Sequence, residues 1–115
     1  MIYFTMTTSS SFQEGLAVQL SDQGEVEAHT TGSVLGVVMS SVEIDEVSFA
    51  TKIYSAGGGG VPMILGVNWD GMPTRFQFVN GHVEPIGSGG DGWLVPSHPV
   101  STKTQGDIVV GAIYR

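Results

Sequence analysis

An all-β fold, a small antiparallel β-barrel or sandwich of about eight to ten short strands, is what this sequence predicts. Three observations carry the prediction. Two hairpin signatures with nearly the same grammar sit toward opposite ends of the chain. Seventeen glycines and five prolines punctuate it every few residues. No stretch shows apolar spacing of helical period with caps at both ends.

Residues 1–12 read as an N-terminal extended arm and 13–115 as a single β domain. The arm opens with the β-formers Ile2, Tyr3, Phe4 and Thr5 and breaks at Ser9-Ser10-Ser11. Residues 1–8 have two readings: a first strand added to the sheet edge, or a strand donated to another subunit or partner. The first hairpin follows. Val18-Gln19-Leu20-Ser21 turns through Asp22-Gln23-Gly24 and returns as Glu25-Val26-Glu27-Ala28, which suits a type I turn closed by a glycine bulge. That register sets Leu20 opposite Val26 and Gln19 opposite Glu27.

Residues 33–42 are too continuously apolar for a solvent-facing strand and read as the central strand of the core, with Gly36 admitting another backbone closely. Residues 42–46 suit a short helix or a wide loop. Alternation resumes over 47–54, with Val47, Phe49, Thr51 and Ile53 on one face and Ser48, Ala50, Lys52 and Tyr54 on the other. The four consecutive glycines at 57–60 carry high backbone entropy and read as a mobile loop. Residues 61–67 form another apolar strand, ended by Asn68-Trp69-Asp70-Gly71.

The second hairpin is Phe76-Gln77-Phe78-Val79, Asn80-Gly81, His82-Val83-Glu84-Pro85. Asn-Gly fits a type I′ turn, because both central residues need positive φ, and it sets Phe78 opposite Val83 and Gln77 opposite Glu84. A flexible tract at 87–92, a short strand at 93–95 stopped by Pro96, a polar loop at 97–105 and a buried strand at 108–114 complete the chain.

A chain of 115 residues is large enough for one core and too small for two. Charged residues make up 13% of it, about half the roughly 25% usual for soluble domains. Such a surface suits a protein held against a neighbour, and small β domains can share it. Lys52, Arg75, Lys103 and Arg115 are scattered among eleven carboxylates, for a net charge of −7. With no basic stripe to neutralise phosphates, no nucleic-acid partner is expected. There is no cysteine for a disulfide or thiolate site. The first residues lack both a basic leader and a long apolar run, so neither a signal peptide nor a membrane span is expected, and folding in a cytoplasm is.

Catalytic, cofactor and metal motifs are weak. His29, His82 and His98 lie far apart, without partners at metal-binding spacing. Gly87-Ser88-Gly89 lacks the nucleophile-elbow pattern because Ile86 stands at its first glycine position. Neither glycine tract ends in Gly-Lys-Ser/Thr. Glu25 and Glu27 share a strand face and Glu43, Asp45 and Glu46 cluster, but without calcium-loop spacing. No catalytic residue, cofactor or metal is therefore assigned. Trp69 and Trp93, each beside an Asp-Gly turn, suit a sugar-stacking platform, a core cap or an interface anchor.

The order of a short arm, the hairpin built from Gly15-Leu16-Ala17-Val18-Gln19-Leu20 and Gly24-Glu25-Val26, the strand Ser33-Val34-Leu35-Gly36-Val37-Val38 and the closing Gly106-Asp107-Ile108-Val109-Val110-Gly111-Ala112 resembles the small head decoration (cement) proteins of tailed bacteriophages. The resemblance implies a non-enzymatic β-rich virion protein, commonly a trimer. It would be made in the host cytoplasm and would bind the major capsid protein on the outer head surface to brace the shell. It carries over no site residues. The candidate partner interface is Ile2, Tyr3 and Phe4 on the arm, Phe12 at its end, and Trp69 and Trp93 on the loops. The alternative is a tail-fibre or other phage receptor- or glycan-binding β module, with the tryptophans and glycine loops as its rim.

Overall fold

A computed structural model describes residues 2–96 and 101–114. Its regular elements are nine strands: β1 (Ile2–Thr8), β2 (Ala17–Leu20), β3 (Val26–Ala28), β4 (Gly36–Glu43), β5 (Phe49–Ile64), β6 (Thr74–Val79), β7 (His82–Pro85), β8 (Gly92–Val95) and β9 (Ile108–Ile113). There is no helix among the described residues. The all-β prediction holds, as a sandwich-like fold rather than a closed barrel.

The organising element is β5, 16 residues long. Its first half pairs with β1 on one side and β4 on the other, giving sheet A in the order β1-β5-β4-β2-β3. Its second half pairs with β9, giving sheet B in the order β5-β9-β8-β6-β7. The four glycines expected as a loop lie within this strand, where the register shifts between Gly57 and Val61. A run without side chains suits the place where one strand passes from one sheet to the next, because no Cβ restricts the bend. One parallel bridge, Leu65 to Val83, brings β7 back to the end of β5 and stops short of closing sheet B.

Both hairpins take the predicted registers. Leu20 faces Val26 and Gln19 faces Glu27; Phe78 faces Val83 and Gln77 faces Glu84. In the first turn Gly24 has φ +78° and donates to the Ser21 carbonyl at 2.9 Å, while the Ser21 amide donates to Glu25 at 2.7 Å. In the second, Asn80 and Gly81 have φ +49° and +83°.

The main core lies between the sheets, with Val37 and Tyr54 from sheet A meeting Met63, Phe76, Val83, Leu94 and Val109 from sheet B. A smaller cluster of Val18, Val38 and Ile53 lies apart from it, covered by Phe4, Met6, Phe12, Leu16, Val26 and Leu35. At Gly36, a Cβ would collide with the Tyr54 carbonyl and the Ile53 side chain, so the predicted close approach is real.

Two expectations change, and one pair of alternatives resolves. β4 is buried only over Gly36, Val37 and Val38, and Val42 is exposed, because its far end projects beyond the core as a hairpin. Of the short helix or wide loop read over 42–46, the structure shows a loop, residues 44–48, tightened by the Ile44 amide donating to the Ser48 carbonyl at 2.9 Å. In β9, Ile108 and Val110 are exposed while Val109 is buried, since strands alternate faces even where every residue is apolar. The polar loop read over 97–105 is described only from Ser101 onward, and His98 lies outside the described residues.

Candidate interaction surfaces

Among the described residues the two sheets have four terminal strands, and three carry protective features. The edge of sheet B along the second half of β5 contains Pro62, which lacks the amide that an added strand would use. β7 carries Glu84, ends in Pro85 and touches Leu65 by the bridge. β3 is three residues long and bears Glu27. The fourth edge, β1, runs seven residues, Ile-Tyr-Phe-Thr-Met-Thr-Thr, without a charge, proline or glycine. β5 is its only strand partner among the described residues. An antiparallel edge strand leaves alternate amides and carbonyls directed outward.

Of the two readings of residues 1–8, the structure shows Ile2–Thr8 as a strand on the chain's own sheet. Its attachment has a polar lock. The Thr8 hydroxyl donates to the Ser10 carbonyl at 2.8 Å, so it must accept from Thr51, also at 2.8 Å; Thr51 in turn accepts from Ser41 at 2.9 Å. One hydrogen per hydroxyl fixes this direction. Thr8 and Thr51 are buried, so the relay leaves neither oxygen unsatisfied. Phe4 and Met6 turn toward the smaller cluster, and Phe12 packs beside them. Ile2 and Tyr3 remain 63% and 53% exposed. The Tyr3 ring lies 4.4 Å from the Lys52 ammonium, a contact worth about 0.5–1 kcal/mol at an exposed site.

The two tryptophans separate. Trp69 is buried in the main core, with its indole N–H donating to the Met72 carbonyl at 2.9 Å and its backbone bridging Lys103. The Met72 amide donates to Asp70 in the same turn. Trp69 thus caps the core, with 5% of its surface exposed. Trp93 stands on the outer face of sheet B between Arg75 and Ala112 on the neighbouring strands. Arg75 lies over the Tyr114 ring at 4.8 Å and donates to Gly92 at 3.1 Å. Near Trp93, Val95, Pro96, Ile108, Val109 and Val110 line a groove of about 350 Å³ with Trp69 and Lys103 at its side. Sequence reading did not single out this groove: all-apolar β9 has no polar residue to mark its outward positions.

Among the titratable groups, His29 is buried between the two hairpins. Its Nδ1 accepts from the Gly81 amide at 3.3 Å, which makes Nε2 the protonated nitrogen, and that nitrogen donates to the Gly32 carbonyl at 3.0 Å. It ties turns together. Glu27 accepts from the Gln19 amide at 2.9 Å across the first hairpin. Asp45 accepts from the Val47 amide at 2.9 Å and the Ser48 hydroxyl at 2.8 Å. These bonds favour the ionised form and hold its carboxyl below the usual aspartate value of 3.8. Among the described residues, no three histidine or carboxylate side chains gather as a metal site.

No known family model matches this chain, and no curated protein matches it.

Proposed function

We propose that this chain is a non-enzymatic virion structural protein, a capsid decoration or cement protein of a tailed bacteriophage. It is made in the host cytoplasm, assembles as a homotrimer and binds the major capsid protein on the outer head surface to stabilise the shell. The observation that carries this reading is the β1 edge, among the described residues the one terminal strand without a charge, proline or glycine. An extended segment of the shell would add to it as a further strand, with main-chain hydrogen bonds supplying affinity and Ile2 and Tyr3 supplying contact. Repetition over a shell multiplies modest affinity per site. The receptor- or glycan-binding alternative loses support because only Trp93, of its two tryptophans, stands on an exposed face.

Deleting residues 1–8 is a poor test, because it would strip β5 of a partner and uncover Val38 and Ile53. The better variant is Ile2→Asp/Tyr3→Asp, which charges the exposed end of the strand and spares the core. Cosedimentation with mature shells lacking the protein should show saturable binding of the wild type at a lattice-set stoichiometry. The double variant, matched by circular dichroism, should lose at least about tenfold in affinity, the equivalent of 1.4 kcal/mol. A wild type that fails to bind, or a variant that binds equally, would overturn the reading.

A further inference from the structure

The β4–β5 hairpin and the sheet B groove lie at opposite ends of β5 and have complementary chemistry. At the hairpin end, Val42, Ile44 and Val47 are 61%, 57% and 73% exposed. This is an unusual concentration of branched apolar side chains in water, and Glu43, Asp45 and Glu46 stand among them. Asp45 is committed to its own turn through Val47 and Ser48. Glu43 and Glu46 are exposed on the same loop.

At the other end, β8, β9 and residues 57–64 of β5 form three adjacent strands without a charged residue. Val95, Ile108 and Val110 open into the groove, and Lys103 lines it. Arg75 adds a second cation beside Trp93 on the same face. The nearest acid by sequence, Asp107, already accepts from the Thr104 amide at 2.8 Å and its hydroxyl at 3.2 Å. One surface is apolar with acids and the other apolar with cations.

The two surfaces are set at opposite ends of β5. Phe49, where β5 begins, pairs with Glu43 of the hairpin, and Ile64, where it ends, pairs with Ile108 of the groove. We infer that the β4–β5 tip of one copy seats in the sheet B groove of the next. Val42, Ile44 and Val47 enter between Val95, Ile108 and Val110, and Glu43 and Glu46 face Lys103. The contact is heterologous, so it generates a closed ring or an open row rather than a two-fold dimer. Its orientation also lets a chain of net charge −7 meet itself with opposite signs apposed. The inference deepens the homo-oligomer part of the proposed function and is independent of what the shell contributes.

The test uses two exposed substitutions, Val47→Glu at the tip and Val110→Glu in the groove, each matched to wild type by circular dichroism and thermal unfolding. In sedimentation velocity the wild type should exceed monomer mass and each variant should be monomeric. An equimolar mixture should form a dimer and nothing larger, because it retains one intact tip and one intact groove per pair. Carbodiimide treatment of isotopically distinct wild-type copies should join Lys103 of one to Glu43 or Glu46 of the other. A wild type that stays monomeric up to about 1 mM, a variant that keeps the wild-type mass, or a mixture that stays monomeric would each overturn the inference. Shell cosedimentation separates the two readings. A monomer that binds shells removes only this contact, and a rescued oligomer that ignores shells removes only the brace.

Discussion

The β2–β3 and β6–β7 hairpins share an alternation and a Gln–Glu cross-strand pair, yet their apolar pairs differ in burial. In β6–β7, Phe76 and Val83 are fully buried and Phe78 meets Phe76 edge-on at 5.2 Å. In β2–β3, Leu20 is 48% exposed and Val26 only half covers the smaller cluster. Turn chemistry is local and gives both hairpins their registers. Burial depends on what lies opposite: Phe76 and Val83 of β6–β7 enter the main core between the sheets, whereas in β2 only Ala17 and Val18 are buried and Leu20, nearer the turn, is not. The two also touch, with the Ala17 amide donating to the Gly81 carbonyl at 2.8 Å and His29 receiving the Gly81 amide.

The contrast can be broken most forcefully at Phe76. Phe76→Ala should cost about 3–5 kcal/mol in denaturant unfolding, because it empties the centre of the main core. A loss below about 1 kcal/mol would mean that the core closes over the gap. His29→Ala tests the join between the hairpins and should cost about 2–3 kcal/mol, leaving the Gly81 amide without its acceptor. Faster hydrogen exchange at Gly81 would localise the loss. Leu20→Ala should stay within about 0.5 kcal/mol, since the side chain is largely in water already.

The smallest effect concerns the third hairpin, β4–β5, whose loop is held by an ionised group. The folded-state pKa of Asp45 is lowered, so its contribution is present above the usual value of 3.8 and disappears as pH falls through the folded value. Unfolding measured from about pH 5 to about pH 2 should show the advantage of wild type over Asp45→Asn shrinking with acid. A constant difference would mean that the carboxylate charge does not matter to the loop.

Local chemistry was legible in the sequence, down to residue-by-residue register at Asp22-Gln23-Gly24 and Asn80-Gly81 and the tight contact at Gly36. The role of the four glycines was not. A run without side chains gives the same signal in a loop and in a strand crossing between sheets, and only the partners supplied by β1, β4 and β9 distinguish them. The candidate interface residues divided for a similar reason. Ile2, Tyr3, Phe4, Phe12, Trp69 and Trp93 look alike as apolar residues near loops, but the smaller cluster takes up Phe4 and Phe12 and the main core takes Trp69. Val42 and Val47 at the tip and Val110 in the groove had no sequence mark at all, because valine is equally at home on a buried face.

The continuity of β5 has a mechanical consequence. A pull applied between its ends travels along one covalent backbone. In sheet A it would have to slide β5 past β1 and β4 together, loading both hydrogen-bond ladders in shear rather than opening them one rung at a time. Residues 57–60 sit in the middle of that path with no side chains to interlock. The same covalent strand continues through them into the ladder with β9, so a load applied to sheet A is carried directly into sheet B.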